Sequence, residues 1–353
     1  MSDPQAQWAE IEDLYHELTE LPAEARKAFL ENSSVSDFVR AEVESLLEIE
    51  APAEFLRTPP IHVAANLLEQ QPGTLSTGQQ LGTYLVDSLI SQGGMGEVYL
   101  ARDQTGQPVV LKVLRRHLIG SPQAAERFEM EARSASALHH PNIVQIFEFG
   151  ESPVALFIAM EWLDGPTLRQ VLAEGLPTVR QAVDWGYQIC QALAAAHSAG
   201  VLHRDLKPEN LIVCRDGLVK LLDFGLARLK GNVRPEIYAS GASGTISGSL
   251  SGTLLYMPPE ILLGETATEG SDVFSLGALI YELATGRHPF AADTPLGIYE
   301  AIECRDVPAP SSLRASLPPA LNVLLLHMLE RDPASRPGAA EICGALRTIL
   351  ERT

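Results

Sequence analysis

The stretch that most constrains this chain is His203-Arg204-Asp205-Leu206-Lys207-Pro208-Glu209-Asn210. Proline has no backbone N–H and clashes with the preceding turn, so Pro208 rules out a continuous helix and the segment must be a loop. That loop carries three different polar tools. Asp205 can accept a proton from a hydroxyl, Lys207 can neutralise a phosphoryl group, and Asn210 offers a neutral oxygen to a hard cation such as magnesium. A His-Arg-Asp triplet alone is weak evidence; Lys207 and Asn210 at their spacings give it weight.

The flanking residues say how the loop is held. Upstream, Ala182, Trp185, Ile189, Leu193 and Ala196 recur at helical spacing, which predicts a helix over Gln181–Ser198 ended by Gly200. Downstream, Leu211-Ile212-Val213, a turn at Asp216-Gly217, and Leu218 to Leu222 read as a hairpin leading into Asp223-Phe224-Gly225. The hairpin returns Asp223, thirteen residues after Asn210, to Asn210's side. Together the two can hold magnesium across nucleotide phosphates.

A second constellation lies nearer the N-terminus. β-Branched and alternating residues from Tyr84 to Ile90 lead into Ser91-Gln92-Gly93-Gly94-Met95-Gly96-Glu97-Val98, a glycine-rich turn between two strands. Glycines let backbone N–H groups approach phosphate oxygens with no side chain between. A tight hairpin without any ligand would read much the same. The next strand, Val109 to Leu114, places Lys112 in an otherwise apolar run, and an unpaired ammonium there would cost several kcal/mol. Glu131, on the following amphipathic helix, is the expected partner; Glu129 is its rival.

These motifs, in this order, resemble those of the protein kinase superfamily, and Lys207 favours its serine/threonine branch of bacterial, eukaryotic-like type. The resemblance covers residues 84 to about 350. It implies an α+β, two-lobed fold: a small β-rich N-lobe with one helix, and a larger, mainly helical C-lobe. The expected divisions are an acidic all-α extension over 1–50, a Pro-punctuated linker over 51–82, an N-lobe over 83–163 and a C-lobe over 164–350. It implies ATP and Mg2+ (or Mn2+) as cofactors. Nucleotide contacts would come from Ile90, Ser91, Gly93, Gly94, Gly96, Val98, Val110, Lys112, Met160, Glu161, Leu163 and Ile212, with Met160 to Leu163 forming the interlobe hinge. Asp205, Lys207, Lys112 and Glu131 would carry catalysis, and Asn210 and Asp223 the metal.

The resemblance extends to regulation and support. Residues 226–253 are rich in Gly and Ser with few large apolar groups, which predicts a mobile activation loop. Phosphate on Thr245, Ser247 or Ser249 could pair with Arg204. Thr253 would position substrate, Glu260 would pair with Arg336, and Asp272 would brace the catalytic loop. Two departures stand out: Ser91 replaces the first glycine of the loop, and Pro258 stands where the family usually has Ala. They leave a catalytically weak, nucleotide-binding scaffold as the alternative.

Composition narrows the partners. The 353 residues carry a formal charge of −19, and residues 1–80 hold 15 Asp and Glu against 4 Lys and Arg. Such acidity would repel nucleic acid and anionic lipid. No apolar run reaches the ~18 residues of a membrane span, and Val273 to Leu283 fits a core helix better. Cys190, Cys214, Cys304 and Cys343 lack paired spacing and read as thiols in a reducing, cytoplasmic setting. The expected partners are proteins bearing Ser or Thr acceptors, a second copy for trans-autophosphorylation, and a protein docked on residues 1–80.

Overall fold

The computed structural model describes residues 29, 74–92, 96–114, 129, 136–152, 155–224, 254–292, 294–304 and 306–352. The chain divides into two units, Met1–Pro72 and Gly73–Thr353. Apart from Phe29, all described residues belong to the second. The predicted helical extension, the glycines at 93 and 94, Glu131 and the 226–253 loop therefore lie outside the described residues.

The second unit begins with a six-stranded antiparallel sheet in the order β1-β2-β3-β4-β6-β5. The strands are β1 (Gln80–Leu81), β2 (Tyr84–Gln92), β3 (Gly96–Arg102), β4 (Pro108–Leu114), β5 (Ile146–Glu151) and β6 (Leu156–Glu161). Period-two alternation gives each strand two faces. Tyr99 and Ala101 of β3, Val109, Leu111 and Val113 of β4, and Phe157 and Ala159 of β6 close one core with Leu75, Leu81 and Val86. Leu114, Ile146, Ile158 and Met160 join the other, larger core instead. Lys112 stands on the face opposite Leu111 and Val113 and is only half-buried.

This sheet starts ahead of the strand pattern. The Thr74 N–H donates to Glu97 Oε2 at 2.8 Å, and the Leu75 N–H to the Tyr99 hydroxyl at 3.0 Å. Tyr99 in turn donates to Glu97 Oε2 at 2.5 Å. Gln80 and Leu81 then pair with Leu85 and Tyr84. Residues 74–81, which read as linker from their composition, are thus fastened to β3 by a buried carboxylate and phenol.

The larger lobe is helical: α1 (Leu168–Glu174), α2 (Val179–Ser198), α3 (Pro259–Leu262), α4 (Glu269–Thr285), α5 (Pro295–Cys304), α6 (Pro310–Leu313), α7 (Pro319–Met328) and α8 (Ala339–Leu350). The short hairpin of β7 (Leu211–Val213) and β8 (Val219–Leu221) lies between α2 and α3 in sequence. α2 starts at a capping box, with the Thr178 hydroxyl and the Gln181 side chain each satisfying the other's backbone, and Gly200 at φ 74° follows its end. α4 contains the apolar run Val273 to Leu283 and is buried nearly all round, as a core helix must be. Its Val, Ile, Leu and Phe side chains stabilise the lobe by about 1.5–3 kcal/mol each. No helix among the described residues is long and apolar enough to cross a membrane.

Glu260 and Arg336 form the lobe's buried ion pair. Arg336 donates from both terminal nitrogens, Nη1 to Oε1 at 2.8 Å and Nη2 to Oε2 at 2.9 Å. Its remaining N–H groups go to the carbonyls of Glu330, Gly270 and Arg331, so all five guanidinium donors are used. The Ser271 hydroxyl also donates to Glu260, and the Phe274 ring lies 4.9 Å under the guanidinium. Desolvation alone would raise the Glu260 carboxyl; the hydrogen bonds from Arg336 and Ser271 outweigh it and hold the carboxyl below its ordinary value of 4.5. The folded-state value is depressed, so the stabilisation is complete above pH 4.5 and disappears as pH falls through the folded value. We expect Arg336→Met to lose ~3–5 kcal/mol in urea unfolding at pH 7, because it strands a buried carboxylate. Glu260→Gln should flatten the acid limb of the stability–pH curve.

Candidate active site

The catalytic loop leaves α2 at Gly200 and ends in a single 3-10 turn, Pro208–Asn210, that feeds β7. Pro208 occupies the first position of that turn, where a missing N–H costs nothing. Within it, Asp205 Oδ2 accepts from Lys207 Nζ at 2.8 Å and from Asn210 Nδ2 at 3.2 Å, and Asn210 Nδ2 also donates to the Asp205 carbonyl at 2.8 Å. The three tools of the loop are therefore gathered on one carboxylate.

Asp272 supports them from α4. Its Oδ2 accepts from the His203 N–H and from His197 Nε2, and its Oδ1 from the Arg204 N–H, each at 2.8 Å. The carboxylate is 1% exposed. Arg204, one residue before Asp205, adopts φ 66°, a left-handed conformation that costs a non-glycine residue on the order of 1 kcal/mol or more. Asp272 holds the two peptide N–H groups that fix this kink.

His203 ties the loop to the hairpin. Its Nε2 lies 2.8 Å from the Leu222 carbonyl, and its Nδ1 accepts from the Asp205 N–H at 3.3 Å. A carbonyl can only accept and a peptide N–H only donate, so the ring is the neutral tautomer protonated on Nε2. The Leu222 N–H donates to the Asn210 carbonyl at 2.8 Å, and the Phe224 ring packs 5.0 Å from the imidazole. Asp223, between them, is the second residue forced to positive φ, at 44°. Its Oδ1 accepts from Lys112 Nζ at 2.9 Å. The strand lysine and the hairpin carboxylate, separated by 111 positions, thus meet directly.

Of the expected nucleotide contacts, Val98 lies across from Lys112 and Val110 across from Met160 in neighbouring strands. Val98, Val110, Lys112 and Ile212 are half-buried, Met160 and Leu163 buried, and Ile90 and Ser91 exposed on β2. The Glu161 carboxylate is engaged elsewhere, accepting from Lys220 Nζ at 2.6 Å and the Gln145 N–H at 2.7 Å, and its own N–H donates to the Gln145 carbonyl at 3.0 Å, so neither is left to face a base. Gly96 has a reason of its own: an added Cβ would sit 2.9 Å from the Val113 carbonyl oxygen. The close approach of β3 to β4 requires glycine there whether or not a phosphate is bound.

The site also fits a divalent cation. Asn210 commits its amide nitrogen to Asp205, which leaves its oxygen as the group to offer a metal, and Asp223 adds a carboxylate. Among the described residues no group of three or more His, Cys, Asp or Glu could hold a metal. Two oxygen donors completed by phosphates and water is the coordination that suits magnesium.

Several participants escaped the sequence reading. Arg169 on α1 pairs with Glu209 at 2.8 Å and Glu282 at 3.0 Å, and donates to the Tyr256 hydroxyl at 2.9 Å. Tyr256 also hydrogen-bonds Glu282. This cluster joins the 203–210 loop, α4 and the residues just before α3. His197 was legible only as a polar residue in the last turn of α2; nothing local points it at Asp272. Arg204 Nε is buried without a hydrogen-bond partner among the described residues. Glu131, Thr245, Ser247, Ser249 and Thr253 lie outside those residues.

Comparison with known proteins agrees with this geometry. A family profile described as protein kinase domain matches residues 84–345. The serine/threonine-protein kinase pkn3 of Myxococcus xanthus is 39% identical over 267 residues, 73% of this chain and 48% of that protein. Serine/threonine-protein kinase PknB of Mycolicibacterium smegmatis is 37% identical over 286 residues, 78% of this chain and 44% of the relative. PknB of Mycobacterium tuberculosis is 37% identical over 272 residues, 75% and 41% respectively. The match thus spans about half or less of these curated relatives. With the catalytic motifs in order on a β-rich lobe and a helical lobe, the chain belongs to the protein kinase family, in its eukaryotic-like bacterial serine/threonine branch.

Proposed function

We propose that this protein transfers the γ-phosphoryl group of ATP to serine and threonine hydroxyls of proteins. The observation that carries the reading is the meeting of two pairs on one kinked backbone: Lys207 with Asp205, and Lys112 with Asp223. Asp205 orients the acceptor hydroxyl and takes its proton at Oδ2. Lys207, held on that same oxygen, supplies positive charge where the phosphoryl group passes. Lys112 reaches the nucleotide phosphates, with Glu131 as its further partner. Asn210 and Asp223 would hold magnesium, which when bound offsets phosphate charge and aligns the γ-phosphate. Leu163 presents a backbone N–H with no hydrogen-bond partner among the described residues, suited to an adenine edge, and Met160 and Ile212 supply apolar walls.

Nothing in the site favours a scaffold without catalysis. Ser91 is an exposed residue at the end of β2, and Pro258 only precedes the short helix α3 at φ −72°. Regulation rests on Arg204: a phosphate on Thr245, Ser247 or Ser249 would give its guanidinium charge-assisted hydrogen bonds. Residues 1–80 are assigned to docking a protein partner, in a protein acting in the cytoplasm and autophosphorylating through transient dimers.

Three experiments test the reading. Asp205→Asn should keep ATP binding while phosphoryl transfer to a protein acceptor falls ~10²–10⁴-fold; wild-type transfer by that variant would defeat the assignment. Asp272→Asn puts an amide nitrogen in place of one carboxylate oxygen, against at least one of the donors it accepts from, so we expect a lower kcat with little change in KM for ATP, read by steady-state kinetics. Replacing Thr245, Ser247 and Ser249 together with Ala should lower specific activity several-fold, with phosphosite mapping after ATP incubation locating the acceptor; unchanged activity removes the loop from regulation.

A further inference from the structure

Cys190 and Cys343 are 153 positions apart, on α2 and α8, and neither takes part in the site described above. Packing of these helices places their sulfurs 2.8 Å apart. Cys190 is fully buried and also donates to the Ala339 carbonyl at 3.1 Å, which fixes its rotamer toward α8. Cys343 is half-buried and lines a surface cavity of about 390 Å³ together with His140, Tyr187 and Arg347. One cysteine is therefore half-buried beside a surface cavity that Arg347 also lines, while the other waits behind it. The hydrogen bond between them pushes the Cys190 thiol up, with burial adding to the effect, and holds the Cys343 thiol below its ordinary value. That asymmetry is the one expected of an attacking and a resolving cysteine.

We propose that Cys343 and Cys190 form a redox site, closed to a disulfide by a peroxide, that fastens the last helix of the catalytic lobe to α2. The Cys343 thiolate attacks one peroxide oxygen; the O–O bond breaks, a sulfenic acid forms, and the departing hydroxide takes up a proton as water. The Cys190 sulfur then displaces the sulfenic oxygen, which leaves with the Cys190 proton as a second water. Two thiols are oxidised by two electrons and one peroxide is reduced. A bond of about 2.05 Å requires the sulfurs to move less than ~1 Å, within reach of side-chain rotation. Cys214 and Cys304 lie outside this pair, half-buried and exposed respectively.

The test treats the full chain with a few equivalents of hydrogen peroxide, traps remaining thiols by alkylation, and reads intact mass and a non-reducing peptide map. The expected result is a chain carrying two alkyl groups, on Cys214 and Cys304, and otherwise lighter by about 2 Da, the two thiol hydrogens, with a single linked peptide pair containing Cys190 and Cys343. Thermal unfolding should shift upward by ~5 °C or more and return with dithiothreitol. Cys343→Ser and the apolar Cys343→Ala should both abolish the link and the shift, while activity in reductant stays at the wild-type level. Cys190 recovered as a free thiol beside a Cys343 sulfinic acid, or a link through Cys214 or Cys304, would overturn the proposal.

Discussion

The structure depends on one buried anion. Among the described residues no lysine or arginine side chain pairs with Asp272; its charge is carried by two peptide N–H groups and one imidazole. Charge-assisted hydrogen bonds of this kind are about twice as strong as neutral ones. They are spent here on keeping Arg204 at φ 66°, a conformation the chain would otherwise abandon. Remove that constraint and Asp205 loses the direction in which its carboxylate faces. The helix α4 serves as an anvil: because it is buried on nearly every side, the residue it carries cannot drift.

From that point rigidity passes to the smaller lobe by short steps. His203 holds the Leu222 carbonyl, Asn210 the Leu222 N–H, and Asp223 receives Lys112. On the other side of the hairpin, the Leu221 N–H donates to the Asn142 carbonyl and the Val144 N–H to the Leu221 carbonyl. The Asn142 amide also donates to the Val219 carbonyl. The hairpin is thus stitched into the segment that leads to β5, and the neutral histidine at its centre keeps a second charge out of a fully buried position.

Much of this was legible in the sequence because the informative residues are close in chain or joined by a tight hairpin. Asp205, Lys207 and Asn210 fall within one loop, and Asp216-Gly217 announces the turn that brings Asp223 back. The two-lobed fold was legible through the resemblance of these motifs to those of protein kinases rather than through any period read along the chain. Contacts that depend on how one helix rotates against another were not legible. Arg169 reaches Glu282, and Cys190 reaches Cys343, only because α1, α2, α4 and α8 pack in one register, which no local pattern encodes. The lysine's meeting with Asp223 needs the two lobes assembled. Residues 74–81 were misleading for another reason: two strand residues and two buried leucines, six positions apart, are too few to show a period.

Those residues change what the beginning of the second unit is mechanically. Thr74 and Leu75 hang on Glu97 and Tyr99, and Glu97 is the residue directly after Gly96. The same strand therefore receives residues 74 and 75 on one face and begins at Gly96. A pull on residue 74 is not absorbed by slack; it loads a carboxylate one peptide away from the glycine turn. In this protein the chain at residue 74 and the start of β3 at Gly96 are two ends of one short lever.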